Sequence, residues 1–86
     1  MIDRPDKVEI EAALENPANR YLAWKQLEDG TYVAVVELMF TTAICVDMSV
    51  TGYANRFCFT DHWQALSEFR KMTSIDTEPT GWIARR

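Results

Sequence analysis

Three side chains that could do chemistry together, Cys58, Asp61 and His62, fall within five consecutive positions of the sequence. A cysteine thiolate can act as a nucleophile or as a metal ligand, and a histidine can serve as its base or as a second ligand. A neighbouring aspartate can assist either role. This set of residues would suit a small enzyme or a metal-binding protein.

The rest of the sequence gives that chemistry little support. A structural zinc site needs four ligands, whereas the whole chain has two cysteines and one histidine. No phosphate-binding loop or nucleophile-elbow motif is present. We therefore predict a protein that is not an enzyme and holds no cofactor or metal, with Cys58 as a buried thiol and His62 as a surface imidazole. A small enzyme or metal-binding protein using Cys58, His62 and Asp61 is the alternative.

Composition and charge exclude several classes of protein. The 86 residues suit a single domain, 1–86, and 48% of them are hydrophobic, as in a folded globular chain. A net charge of −4 argues against nucleic-acid binding, which depends on basic side chains facing phosphates. No apolar run reaches the length of a membrane span, and the N-terminal residues are too charged for a signal peptide. We expect a cytoplasmic protein with reduced thiols and no membrane partner.

The middle of the chain predicts consecutive antiparallel strands. Asp29-Gly30 lies between two β-rich runs, at residues 21–27 and 31–40, and favours a tight hairpin turn. A third strand at 43–50 must follow a turn near residues 40–42, because one strand through both segments would be too long for a small domain. Its alternation predicts that one face points into the core, with Ile44, Val46, Met48 and Val50, and that the other points out or towards an edge, with Cys45, Asp47 and Ser49. Gly52 then supplies a turn to a fourth strand at 54–59.

Helices are predicted before and after these strands. Residues 6–16 are rich in Ala and Glu and end at Asn16-Pro17, although their apolar residues also alternate as in a strand. Asp61 is a suitable N-cap for a second helix over residues 61–72. Its apolar residues, spaced three apart, should pack on the sheet; they are Trp63, Leu66, Phe69 and Met72. The predicted fold class is α+β, a four-stranded antiparallel meander with one C-terminal helix packed on it and a short N-terminal helix.

The second predicted strand is apolar on both faces, and one long helix can cover only one of them. Val33, Val35 and Met39 share a face in this interpretation, opposite Tyr32 and Val36. Either the N-terminal helix covers the remaining face or a second copy of the chain does. The weak amphipathicity of that helix favours a two-fold homodimer.

Near the C-terminus, Trp82 and Ile83 follow a Pro-Thr-Gly turn. They could fill the edge of the core, or they could form a short edge strand that holds a partner, with Trp82 as a hot spot. Together with the exposed-face residues, this yields four predicted partner-binding residues, which are Val33, Val35, Met39 and Trp82.

The order of motifs resembles a group of small uncharacterised bacteriophage and prophage proteins. The similarity runs through an L-x-D-G turn at residues 27–30, the GYANRFCF stretch at residues 52–59 and a C-terminal Gly81-Trp82. It covers about residues 21–83. The resemblance implies a phage or prophage accessory protein that binds a host or phage protein, one form of which would be an inhibitor of a host defence system such as an anti-CRISPR. It implies no catalytic residue.

Overall fold

The computed structural model describes residues 6–74 and 76–85 of the chain. Within them, the element order is α1 Lys7–Glu15, a 3₁₀ turn Pro17–Asn19, β1 Tyr21–Gln26, β2 Tyr32–Glu37, β3 Thr42–Val46, β4 Asn55–Phe59, α2 His62–Lys71 and β5 Ala84–Arg85. The described strands form one antiparallel sheet in the order β1-β2-β3-β4-β5. The predicted α+β meander with its two helices is confirmed, and the two-residue β5 extends it. Neither of the two described helices has the length and apolar character needed to cross a bilayer.

Short-range signals produce the hairpin and the end of the first helix. At the β1–β2 turn, Gly30 has a φ of 89° and donates its N–H to the carbonyl of Leu27 at 2.9 Å. The Asp29 carboxylate accepts from the N–H of Thr31 at 2.9 Å, so both predicted turn residues act locally. Asn16 is extended, as the following proline requires, and α1 stops before it.

Helix α2 crosses one face of the sheet and buries the larger apolar cluster. Val33 and Val35 of β2 are both 0% exposed, and they pair across the sheet with Val46 and Ile44 of β3. We call this cluster the α2-side core; it contains Leu27, Val33, Val35, Ile44, Val46, Phe57, Phe59, Ala65, Phe69 and Met72. Val33 and Val35 are therefore core residues, which corrects the prediction that they contact a partner.

Helix α1 covers part of the opposite face through Ile10 and Leu14, which are 0% and 4% exposed. The α1-side core consists of Ile10, Leu14, Tyr32, Ala34, Cys45 and Met48. The Lys7 ammonium lies 3.0 Å from the Tyr32 hydroxyl and 2.5 Å from the Glu11 carboxylate, so a polar cluster closes over the buried tyrosine ring. Since α1 supplies this cover, the main argument for a homodimer is weaker. The homodimer stays a prediction, which sedimentation equilibrium would test.

The third strand ends earlier than its alternating pattern predicts. β3 stops at Val46, and Asp47 follows with a φ of 57°, in the left-handed region. This reversal breaks the two-residue alternation, so that Met48 enters the α1-side core while Val46 stays in the α2-side core. The expectation that Val46 and Met48 share a face is wrong for this reason.

The apolar stripe of α2 omits its first predicted member. Trp63 is 73% exposed, whereas Ala65, Phe69 and Met72 are buried. Residues spaced three apart on a helix are each displaced by about 60° around the axis from the one before. The later residues of the stripe therefore face a different direction from Trp63. The same rotation brings His62 towards the sheet, where its Nδ1 lies 3.4 Å from the Thr42 hydroxyl.

Candidate functional site

The structure gives Cys58, Asp61 and His62 separate surroundings. Cys58 is 4% exposed in β4, while the Asp61 carboxylate caps α2 by accepting from the N–H of Trp63 at 2.9 Å. The His62 ring packs edge-on against Trp63, with 5.3 Å between ring centroids. Among the described residues, no three His, Cys, Asp or Glu side chains form a group that could hold a metal ion. The geometry therefore does not bring the three predicted chemical residues together as a metal site.

Both cysteines are buried free thiols on the same face of the sheet. Ala43 pairs with Cys58 and Cys45 pairs with Arg56, so the two thiols are diagonal neighbours on adjacent strands. Burial raises the pKa of the Cys45 thiol to about 11, although the nearby Arg56 guanidinium opposes the rise. Cys45 is thus held as a thiol in the core, and the expectation that it faces out or towards an edge is wrong.

Among the described residues, the most exposed apolar side chains belong to the loop between β2 and β3. Met39 is 88% exposed and Phe40 is 85% exposed. The loop comprises residues 38–41 and is narrow, since the N–H of Leu38 donates to the carbonyl of Thr41 at 2.7 Å. Strand β2 ends at Glu37, so Met39 lies beyond the sheet instead of on the face predicted for it. The structure nevertheless keeps Met39 accessible to a partner.

An apolar groove lies between this loop and the other edge of the sheet. It is open, with a volume of about 320 Å³. Its lining includes Leu38, Met39, Phe40, Arg56, Cys58 and Ile83. A second depression that shares Leu38 and Met39 with the groove also contains Leu22 of β1, beside the charged residues Arg20 and Glu37. Leu22 is 46% exposed and Ile83 is 59% exposed. Together these side chains form an accessible apolar surface at one end of the sheet.

The C-terminal segment supplies one wall of the groove. The N–H of Ile83 donates to the carbonyl of Cys58 at 2.8 Å, and β5 then pairs Ala84 with Cys58. The Trp82 ring lies 5.5 Å from the Phe57 ring, centroid to centroid, and remains 36% exposed. Trp82 therefore packs on the core residue Phe57, and Ile83 directly precedes the edge strand β5. Whether this segment holds a partner stays a prediction.

Of the four predicted partner-binding residues, the structure leaves Met39 and Trp82 accessible. Phe40, Arg56 and Ile83 complete the groove and were not among the four. The sequence could have indicated Arg56. In a strand, a residue two positions before Cys58 lies on the same face as Cys58, so a charged side chain there is placed among buried neighbours. Phe40 is accessible because β2 ends at Glu37. The apolar pattern of the sequence continues to Phe40 and therefore does not indicate this end.

Comparison with protein-family models, with characterised proteins and with solved structures finds no significant match to this chain.

Proposed function

We propose that this chain is a non-catalytic binding protein that docks the β2–β3 loop and the adjoining groove against another protein. The observation that carries the proposal is the exposure of Met39 and Phe40, at 88% and 85%, side by side at the tip of a narrow loop. Burying a side chain of this size stabilises by about 1.5–3 kcal/mol, which the free chain forgoes at both positions. A protein partner that encloses the loop would recover it.

Local folding does not account for these two residues. Turns are usually made by Gly, Pro, Asn, Asp or Ser, each of which suits a turn's backbone angles or hydrogen bonds. Residues 38–41 are Leu, Met, Phe and Thr, and none of them has a positive φ. The loop therefore carries large apolar side chains that neither its own backbone nor the core requires, as is typical of a binding surface.

The partner is proposed to be a host or phage protein met in the host cytoplasm. This setting rests on the resemblance to small phage and prophage proteins, and inhibition of a host defence system is its specific form. A chain of 86 residues can inhibit by covering a partner's surface, without a reaction of its own. The two free cysteines accord with a reducing compartment.

Affinity capture from host lysate tests the proposal when the surface is changed in a controlled way. The test variant carries Met39→Ser and Phe40→Ser. The matched control is Val8→Ser, since Val8 is 79% exposed on α1 and lies away from the loop. We expect quantitative mass spectrometry to find host proteins that the wild type and the Val8→Ser control capture and the double variant loses. Equal capture by all three proteins would refute the proposal.

A growth assay tests the inhibitory form. In a host strain that restricts a phage, expression of the wild-type chain should raise the efficiency of plating, and expression of the double serine variant should not. An unchanged efficiency of plating in every restricting strain would reject the inhibitory form and leave a different binding role.

A further inference from the structure

Among the described residues that line the groove beside the β2–β3 loop, Arg56 is the one charged side chain, Thr41 is polar, and most of the others are apolar. Arg56 is partly buried in β4, next to Cys58 on the same strand face. Its Nε is buried and has no hydrogen-bond partner. Its guanidinium lies 5.7 Å from the centre of the Tyr53 ring, and within the described part of the chain it makes no ion pair with a carboxylate. The groove thus holds an arginine that pairs with no carboxylate among the described residues.

A guanidinium that has no carboxylate partner favours an anionic ligand group when it lies in a mostly apolar groove. Partial burial weakens the hydration of the charge, and only an opposite charge or strong acceptors offset that cost. The chain has thirteen acidic residues and a net charge of −4, yet Arg56 is paired with none of those the structure describes. Arginine is also well suited to a carboxylate, because its planar fork can donate two parallel hydrogen bonds to the two oxygens.

The shape of the groove selects for a peptide. Its volume of about 320 Å³ accommodates one or two apolar side chains, and it is open to solvent instead of enclosed. Met39 and Phe40 form one wall and Ile83 another. Strand β5, of two residues, borders the groove as the outermost strand of the described sheet. A bound segment can therefore enter and leave the groove as a continuous chain.

We infer that the groove binds a partner segment in which an apolar side chain stands next to a carboxylate, from Asp, Glu or a C-terminus, with the carboxylate paired to Arg56. The inference rests on the proposed function, since it states the chemistry of the partner at the same surface. The apolar side chain lies against Met39, Phe40 and Ile83, and the carboxylate neutralises the guanidinium. Such a ligand satisfies both properties of the groove at once.

The test begins with selection of heptapeptides from a random display library on the wild-type protein. We expect the selected peptides to share an apolar residue next to Asp, Glu or a free C-terminus. Fluorescence anisotropy then compares a labelled selected peptide with its neutral analogue, in which Asp becomes Asn, Glu becomes Gln or the C-terminus becomes an amide. Neutralisation should raise Kd about ten-fold for the wild type and less than about two-fold for Arg56→Gln.

Two further variants distinguish the pairing of the peptide carboxylate with Arg56 from a change in the protein's net charge. Arg70→Gln removes an exposed arginine from α2 and should retain the full ten-fold penalty. Arg56→Lys keeps the charge but not the fork, and should show a smaller penalty than the wild type. It also replaces Arg56→Gln if circular dichroism shows that the glutamine variant does not fold.

The inference is overturned if the selected peptides show no acidic preference, or if Arg56→Gln retains the wild-type penalty. If the selected peptides lack an acidic preference but their binding is lost with Met39→Ser and Phe40→Ser, the inference about Arg56 is wrong and the proposed function still holds. Oleate is the competing carboxylate probe. If oleate binds in an Arg56-dependent way and no peptide is enriched, the occupant is a fatty acid and the peptide inference is wrong.

Discussion

The Glu68 carboxylate of α2 accepts hydrogen bonds from both the backbone N–H and the hydroxyl of Thr80, at 2.8 and 3.1 Å. These bonds tie the C-terminal segment to the helix just before the residues that border the groove. The next residue, Gly81, has a φ of 84°, and a Cβ there would lie 1.8 Å from the Gln64 side chain. The attachment therefore depends on a buried carboxylate and on a glycine that lets the segment approach α2 closely.

Replacing Glu68 with Gln should make stability less dependent on pH. The Thr80 N–H, followed by Lys71, lowers the pKa of Glu68 below its ordinary value of 4.5. Because the pKa of Glu68 is lower in the folded state than in the unfolded state, the ionised carboxylate stabilises the fold at pH values above the unfolded pKa. This stabilisation is lost as the pH falls below 4.5 and through the folded-state pKa. We expect Glu68→Gln to cost about 1 kcal/mol near neutral pH, and the difference from the wild type to shrink as the pH falls below 4.5.

Urea unfolding at neutral and at acidic pH measures this difference. Glu15→Gln is the matched control, since Glu15 is an exposed acid at the end of α1 and should follow the wild-type curve. Stability curves of Glu68→Gln and the wild type that stay parallel across the acid range would contradict the role assigned to Glu68.

The two cysteines should react at different rates in the folded protein. Cys45 is 2% exposed in the α1-side core, and its pKa of about 11 leaves on the order of one thiolate in a thousand near pH 8. Cys58 borders the groove. Iodoacetamide labelling followed by peptide mapping should find Cys58 modified before Cys45, and a peptide bound in the groove should protect Cys58. Equal rates for the two thiols would mean that global unfolding limits both.

The left-handed backbone at Asp47 predicts opposite effects for two substitutions. Asp47→Gly should leave stability unchanged or increase it, because glycine adopts a φ of 57° without strain. Asp47→Val should cost about 1–2 kcal/mol, because a β-branched side chain is strongly disfavoured there. Chemical denaturation of both variants measures this difference. Equal stability of the glycine and valine variants would show that this backbone angle is not maintained.

The cap of α2 predicts a smaller, local effect. Asp61→Ala removes the acceptor for the N–H of Trp63 and should destabilise the protein by about 1 kcal/mol, as measured by thermal unfolding. Asp61→Asn keeps an acceptor and is the matched control, with little expected loss. If asparagine were as costly as alanine, the carboxylate's charge and not its capping bond would be responsible.

The sequence by itself determined the order of the elements and most of the turns. Asp29-Gly30, Asn16-Pro17 and Asp61 each act on the backbone within a few residues, so their effects can be predicted without knowing the fold. The antiparallel meander follows from these signals because short connections place consecutive strands side by side. The accessibility of Met39, although not its position in a loop, could also be anticipated.

The tertiary structure alone decided the faces of Met48 and Trp63 and the place of the groove. One left-handed residue, Asp47, moves Met48 to the other core, and the rotation of α2 exposes Trp63 while burying Glu68 against Thr80. The groove joins Met39, Arg56 and Ile83, which lie far apart in the chain and meet because the sheet brings the β2–β3 loop near β4 and β5. Long-range packing fixes such contacts, and residue spacing along the chain carries no direct record of them.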